Sequence, residues 1–257
     1  MNYGNLFALD LRLRAIAVKV DYGIDAPAVI RNLALIGAIC ILAAVLASRF
    51  INVSAFLWPR LTVLITGILC LLEAGLMLLY STWGKFRHRD KMLAMVSWSG
   101  NERVLDVGTG RGLLLIGAAK RLSSGTAVGL DVWSQRDLSG NAISATERNL
   151  QLEGVADRCT LVTENAQKLS FADAGFDVVL SNLCLHNIPA REERDRACAE
   201  IVRVLKPNGH VVISDYKNSR QYAHAFRKLG LTIERTSWDP LTFPPLRTLT
   251  AVKGDGA

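Results

Sequence analysis

The chain has 257 residues, half of them apolar, and a formal net charge of +7. That length holds one large domain, or one of about 165 residues with an extension, and the positive mean hydropathy sets it apart from an ordinary soluble enzyme. Five cysteines without a C-x-x-C pair or metal-ligand spacing argue against a disulfide scaffold and against a metal site.

In residues 1–28, Leu6, Leu9, Leu13, Ile16 and Val20 recur at helical spacing, while 9–14 alternates as a strand would. An amphipathic interfacial helix and an ordinary packed element both stay open there. Residues 22–27 break the pattern and predict a turn. Two apolar blocks follow, 33–48 and 61–80, the first extendable back to Ala28 past Arg31. The second carries one charge, Glu73, and its length matches the roughly 30 Å of a bilayer core. The prediction is a two-helix transmembrane hairpin over 29–84, in preference to a hairpin buried against the enzyme or in a dimer interface.

Arg12, Arg14, Lys19 and Arg31 precede the first block, and Lys85, Arg87, Arg89 and Lys91 follow the second, whereas the connecting loop has only Arg49 and Arg60. The positive-inside rule therefore places both termini and everything beyond residue 84 in the cytoplasm, as a multi-pass membrane protein. The same distribution explains the basic excess through anionic lipid headgroups, without nucleic acid. The first block starts too far from Met1 for a signal peptide. Glu73, costly inside a membrane, is expected to face a hairpin partner or a wet pocket. Residues 81–91 read as a short basic connector.

From 85 to 257 strands alternate with helices, the pattern of a parallel sheet covered on both faces. Strands are expected at 103–107, 126–131, 159–163, 176–181, 210–215, 231–237 and 247–252, with helices at 111–122, 140–153, 191–205 and 219–229. Between the last two strands lie only 239–246, with Pro240, Pro244 and Pro245. No helical crossover fits in so short a link, so that pair should be antiparallel.

The most informative stretch is Val104-Leu105-Asp106-Val107-Gly108-Thr109-Gly110-Arg111-Gly112. It reads as a strand, a glycine turn and a helix start, the arrangement of a loop that a nucleotide approaches closely. A dinucleotide fingerprint would put its third glycine at position 113, which is Leu113. The spacing here is G-x-G-x-G, and Asp131 closes the next strand about 20 residues on, where a carboxylate reaches ribose hydroxyls. Together with Asn165-Ala166 after the third strand, Phe176–Asn182 as the fourth, and Leu205-Lys206-Pro207-Asn208-Gly209 before the fifth, this resembles the class I S-adenosylmethionine-dependent methyltransferases over roughly residues 90–257.

That resemblance implies a Rossmann-like α/β fold whose seven-stranded sheet is mostly parallel with its last strand reversed. It implies S-adenosylmethionine as cofactor, held by Asp106, Gly108, Thr109, Gly110, Gly112, Asp131, Val132, Asn165, Ala166 and Asn182. Methyl transfer from a sulfonium needs alignment and dryness more than acid–base chemistry, so the acceptor side is less clearly written. His186, just past strand four, and Tyr216, past strand five, are the catalytic candidates. Trp133 is a candidate adenine contact, and Tyr222 and Trp238 are candidate pocket walls.

Amino-methylating members carry Asn/Asp-Pro-Pro-aromatic where this chain has Ser181-Asn182-Leu183-Cys184, which disfavours that chemistry. Arsenite-type, thiol-dependent members place cysteine directly after Ser-Asn, whereas Leu183 intervenes here. The expected partner is a small lipophilic acceptor, lipid- or quinone-like, with the membrane engaged through 29–80 and a homo-oligomer left open. The competing readings are a cofactor-binding membrane protein without turnover, such as a sensor or assembly subunit, an arsenite-type enzyme, and a nicotinamide enzyme.

Overall fold

The computed structural model describes residues 19–50 and 57–255, so most of the N-terminal stretch expected to be amphipathic lies outside the described residues. Helix α1 spans Pro27–Phe50 and α2 spans Leu57–Leu79, each about 35 Å long at 1.5 Å per residue. Pro27 opens α1, where its missing N–H costs nothing. Large apolar side chains point outward from both helices, among them Leu35, Ile39 and Leu42 on α1 and Ile65, Leu69 and Leu72 on α2.

Where the two helices meet, the residues are small. A Cβ on Gly37 or on Gly67 would stand 2.9 Å from the other's carbonyl oxygen, and Ala44 and Ala74 are buried. Close backbone approach through small residues is how helices associate when burying apolar area against each other gains little. Glu73 does not face the partner helix as expected. It precedes buried Ala74 by one residue, about 100° round the helix, and is exposed.

The basic connector expected at 81–91 is helical instead. After α2 comes a π-helical turn, Tyr80–Gly84, and then α3, Lys85–Leu93. The physical reason is an amphipathic pattern: His88, Met92 and Leu93 are buried, while Arg87 and Lys91 turn outward to Asp239 at 3.2 and 2.8 Å. His88 Nε2 lies 2.7 Å from Ser214 Oγ, which fixes α3 to the sheet.

The sheet consists of β1 (Arg103–Val107), β2 (Thr126–Asp131), β3 (Cys159–Thr163), β4 (Phe176–Asn182), β5 (Leu205–Asp215), β6 (Leu231–Asp239) and β7 (Leu246–Lys253). Their order is β3-β2-β1-β4-β5-β7-β6, with β7 antiparallel to both neighbours and all other pairs parallel. Between strands run α4 (Leu113–Ala119), α5 (Ile143–Leu152), α6 (Arg191–Val204) and α7 (Ser219–Lys228). Alternating β1 residues feed two cores. Leu105 and Val107 join Phe176, Ile201 and Phe226 on one face, and Val104 joins Leu115, Ile116 and Met92 on the other. Strand β5 begins at Leu205 and not at 210, because Leu205 already pairs with Phe176 ahead of a register shift.

Both roots of the hairpin are tied to this domain. Before α1, the Ile24 amide donates to Ser139 Oγ at 2.7 Å, the Ser139 amide donates to the Ile24 carbonyl at 3.0 Å, and Asp25 bridges to Leu138. After α2, Ser81 Oγ donates to Asp25 Oδ2 at 2.8 Å and Lys85 Nζ donates to the Tyr22 carbonyl at 3.0 Å. Strand order reverses between β1 and β4, and open α/β sheets bind ligands in the crevice at the C-terminal ends of such strands.

Candidate active site at the strand ends

Gly108, Gly110 and Gly112 follow β1 with φ of +77°, +53° and +84°. Side chains avoid that region, so the turn requires glycine. A Cβ on Gly108 would also stand 2.2 Å from Cys184 Sγ. The loop is held from inside. Thr109 Oγ1 donates to Asp106 Oδ2 at 2.8 Å, and the Gly108 and Thr109 amides donate to the Leu130 carbonyl. Asp106 is buried, and desolvation pushes its carboxyl up to about 7 against the opposing pull of the Thr109 hydroxyl.

Asp131, at the end of β2, accepts from the Gly110 amide at 2.8 Å on one oxygen and from the Trp133 amide and Asn141 Nδ2 on the other. It thus locks the glycine loop to the neighbouring strand end. Val132 is exposed at the surface beside it, and Trp133 donates from Nε1 to Thr163 Oγ1 at 2.7 Å. Asn165 is exposed and its Oδ1 takes the Gln167 amide in a local turn, whereas Ala166 is buried in the core. Asn182 ends β4, two residues past Leu180, the register partner of Asp106, and its Oδ1 is buried with no hydrogen-bond partner among the described residues.

The acceptor-side candidates come together. His186 Nδ1 lies 2.8 Å from Asp215 Oδ1, and the His186 and Tyr216 rings meet edge to face with centroids 4.6 Å apart. Asp215 ends β5 almost fully buried. It also accepts from the Tyr216 amide and from the Tyr222 hydroxyl at 3.2 Å. Tyr222 is therefore a core residue that supports Asp215, and Trp238 stands exposed on β6. Beside Tyr216 a hollow of about 200 Å³ is lined by Lys217, Arg220 and Arg247.

Cys184 sits among Asp131, Asp215 and Asp106, and burial and those carboxylates push its thiol well above its usual value. Burial pushes Cys159 and Cys198 up to about 12. Thiolate chemistry needs the opposite shift.

Sequence reasoning missed four residues here. Asp215 had a usable signal, an acid closing a strand as Asp106 and Asp131 do. Asn141 bonds Asp131 and keeps its own Oδ1 buried without a partner among the described residues. Tyr80 and Ser81, from the end of the hairpin, had no local signal. Tyr80 is buried beside Asn182, more than 100 residues away in the chain.

Residues 105–213 match the family model described as a methyltransferase domain. Among curated proteins, the chain is 34% identical over 131 residues to a demethylmenaquinone methyltransferase of Lactiplantibacillus plantarum, covering 50% of this chain and 52% of that one. It is 33% identical over 144 residues to a chloroplastic 2-phytyl-1,4-beta-naphthoquinone methyltransferase of Arabidopsis thaliana, covering 54% and 52%. The chain thus spans about half the length of the curated relatives it matches. Among solved structures, the [4+2]-cyclase SpnF is similar with a TM-score of 0.56 at 19% identity, over 66% of this chain and 80% of that one. That likeness is one of fold, and a cyclase on this sheet is a reminder that chemistry resides in the site.

Proposed function

We propose that residues 85–257 form an S-adenosylmethionine-dependent methyltransferase, anchored by the hairpin of 29–84 and acting on a small lipophilic acceptor of the hydroquinone or phenol type. The observation that carries the reading is the loop after β1: three left-handed glycines braced by Asp131 from the adjoining strand, within the segment that matches a methyltransferase domain. The residues fit the donor. The glycines let the bare loop backbone pack against Cys184, Leu138 and Thr146, which a Cβ would strike, Asp131 and Asn141 stand together at the ribose position, and exposed Val132 offers an apolar face for a flat base.

When bound, the donor supplies a methyl group activated by its sulfonium. The chain's own residues then align the acceptor and exclude water. Methylation of a ring carbon would form one C–C bond as the donor's S–CH3 bond and the ring's C–H bond break, leaving a thioether and one proton, and His186, 2.8 Å from Asp215, would take that proton. The quinone-ring substrates in the names of the curated relatives support the acceptor class.

For the anchor, the support is physical. Two helices of about 35 Å turn mostly apolar side chains outward, Glu73 excepted, and have few buried residues, a pattern that water penalises and lipid does not. Trp58, near the start of α2, and Trp83, in the π-helical turn just past its end, are highly exposed about 37 Å apart along the axis, where interfacial tryptophans collect. The basic residues cluster at the roots, next to the sheet domain, which favours a cytoplasmic enzyme.

The test is calorimetric titration of the full chain in lipid nanodiscs with S-adenosylhomocysteine and, separately, with NAD. One site for S-adenosylhomocysteine and none for NAD is the expected result. The reverse pattern overturns the reading.

A further inference from the structure

We propose that the hollow beside Tyr216 binds the phosphate of an anionic membrane lipid, so that the sheet domain meets the bilayer at a second place besides the hairpin. The inference rests on the membrane anchoring argued above and adds which groups of the enzyme domain touch the headgroups.

The hollow, of about 200 Å³, is lined by Tyr216, Lys217, Asn218, Ser219, Arg220 and Arg247. Lys217, Arg220 and Arg247 are exposed, and none of them forms an ion pair among the described residues. Elsewhere Arg87, Lys91, Lys120 and Arg203 all have carboxylate partners. Three like charges around one concavity repel one another, and an anion placed there removes that cost. Lys217 Nζ stands 5.2 Å from the centre of the Tyr216 ring, which holds the ammonium at the wall of the hollow.

The backbone adds donors of the same preference. Helix α7 starts at this hollow, with Asn218 left-handed at φ +63° and no side chain capping the first turn. Its first amides have no acceptor among the described residues and carry the positive end of the helix dipole. Ser219 is only 9% exposed, yet its hydroxyl makes no hydrogen bond among the described residues. Buried hydroxyls are normally paired. Three cations, free amides and a hydroxyl make the donor set that phosphate oxygens take.

The place of the hollow selects a lipid over a soluble anion. Arg247 pairs across the sheet with Asp215 on one side and with Trp238 on the other, next to Asp239. Asp239 is the carboxylate that Arg87 and Lys91 of α3 reach. Arg87 stands four residues, about 6 Å of helix, past the interfacial Trp83. The hollow therefore lies at the end of the sheet that α3 fastens to the hairpin. Trp238 and Leu241 are 61% and 71% exposed at that same end. Large apolar side chains beside basic ones suit headgroups and the outer acyl region.

The experiment is hydrogen–deuterium exchange of the full chain in nanodiscs of palmitoyl-oleoyl phosphatidylcholine, alone or in an equal mixture with palmitoyl-oleoyl phosphatidylglycerol. In the mixed discs the peptide over 216–222 is expected to exchange about tenfold more slowly, as amides that gain an acceptor do. The K217Q/R220Q/R247Q variant should exchange alike in both discs, with β1 and β4 as slow as in wild type. Faster strands in the variant would make the three residues structural and overturn the assignment. Equal exchange of the wild-type peptide in the two discs also overturns it, as does protection that persists in the variant. Equal protection by inorganic phosphate in phosphatidylcholine discs would mean a site for a free anion, and the lipid falls. A hairpin whose peptides over 27–79 exchange freely in both discs refutes the anchor itself. A slow hairpin with an unchanged 216–222 peptide refutes the headgroup contact alone.

Discussion

The two halves of the candidate site are built on opposite terms. Around the glycine loop the backbone is held by the protein's own carboxylates: Asp106 holds Thr109, and Asp131 holds Gly110, Trp133 and Asn141, whose Oδ1 alone in this set stays free among the described residues. Toward the hairpin, Tyr80 is buried beside Asn182, and His186 Nδ1 lies 2.8 Å from Asp215 Oδ1. The first half is shaped before any ligand arrives. The second is assembled from residues of the hairpin, β4 and β5 that are far apart in the chain. A donor common to many enzymes suits a fixed cradle, whereas the acceptor is what distinguishes one such enzyme from another.

The largest effect is expected from the acceptor half. His186→Ala should lower turnover of 1,4-naphthohydroquinone by about 10²–10⁴-fold, as removal of a general base does, while S-adenosylhomocysteine affinity stays within twofold. A turnover change below threefold would remove His186 from the reaction and leave the two halves less distinct. Gly108→Ala should act on the other side. It puts a side chain at φ +77° and against Cys184, which together cost about 3 kcal/mol, or roughly a hundredfold in S-adenosylhomocysteine affinity. Normal affinity in that variant would mean the loop is not the cradle. Asp131→Asn keeps the shape but loses the charge that accepts the Gly110 amide, and a loss of about tenfold in the same titration is expected.

The smallest expected effect is on pH dependence. Asp106 is held up to about 7 by burial, so between about 4 and 7 the folded state keeps a proton that the unfolded chain has lost. Its contribution to stability therefore falls as pH rises through that window. His88, lowered to about 4 by burial, acts in the opposite sense between about 4 and 6.5. The difference between wild type and Asp106→Asn isolates the Asp106 term. Denaturant midpoints should show the variant gaining on the wild type as pH is raised from 4 to 7, and parallel curves would contradict the burial argument.

The contrast between the halves also explains what the sequence could reveal. The donor half is one contiguous run plus acids at strand ends, and short apolar runs alternating with helical stretches locate those ends: β1, β2 and β3 fall at the residues expected. The acceptor half joins residues that are distant in the chain. Nothing local around Tyr80 indicates that it will stand beside Asn182, and nothing near Asp215 says that it will meet His186. Helix α3 was obscured for another reason. Its charged face makes residues 81–91 look like a linker, and only packing of His88, Met92 and Leu93 on the sheet discloses a helix. Glu73 was expected to turn inward because membrane burial is costly, but the tight Gly37–Gly67 contact sets the helix rotation and leaves it outside.

The most direct measurement supplies methyl-labelled S-adenosylmethionine to native membranes containing the full chain, then separates lipid, protein and aqueous fractions. The account predicts label in a lipid-soluble aromatic product, formed with the wild-type chain and lost with His186→Ala. Label confined to the aqueous or protein fraction, or no transfer while S-adenosylhomocysteine still binds, would contradict it.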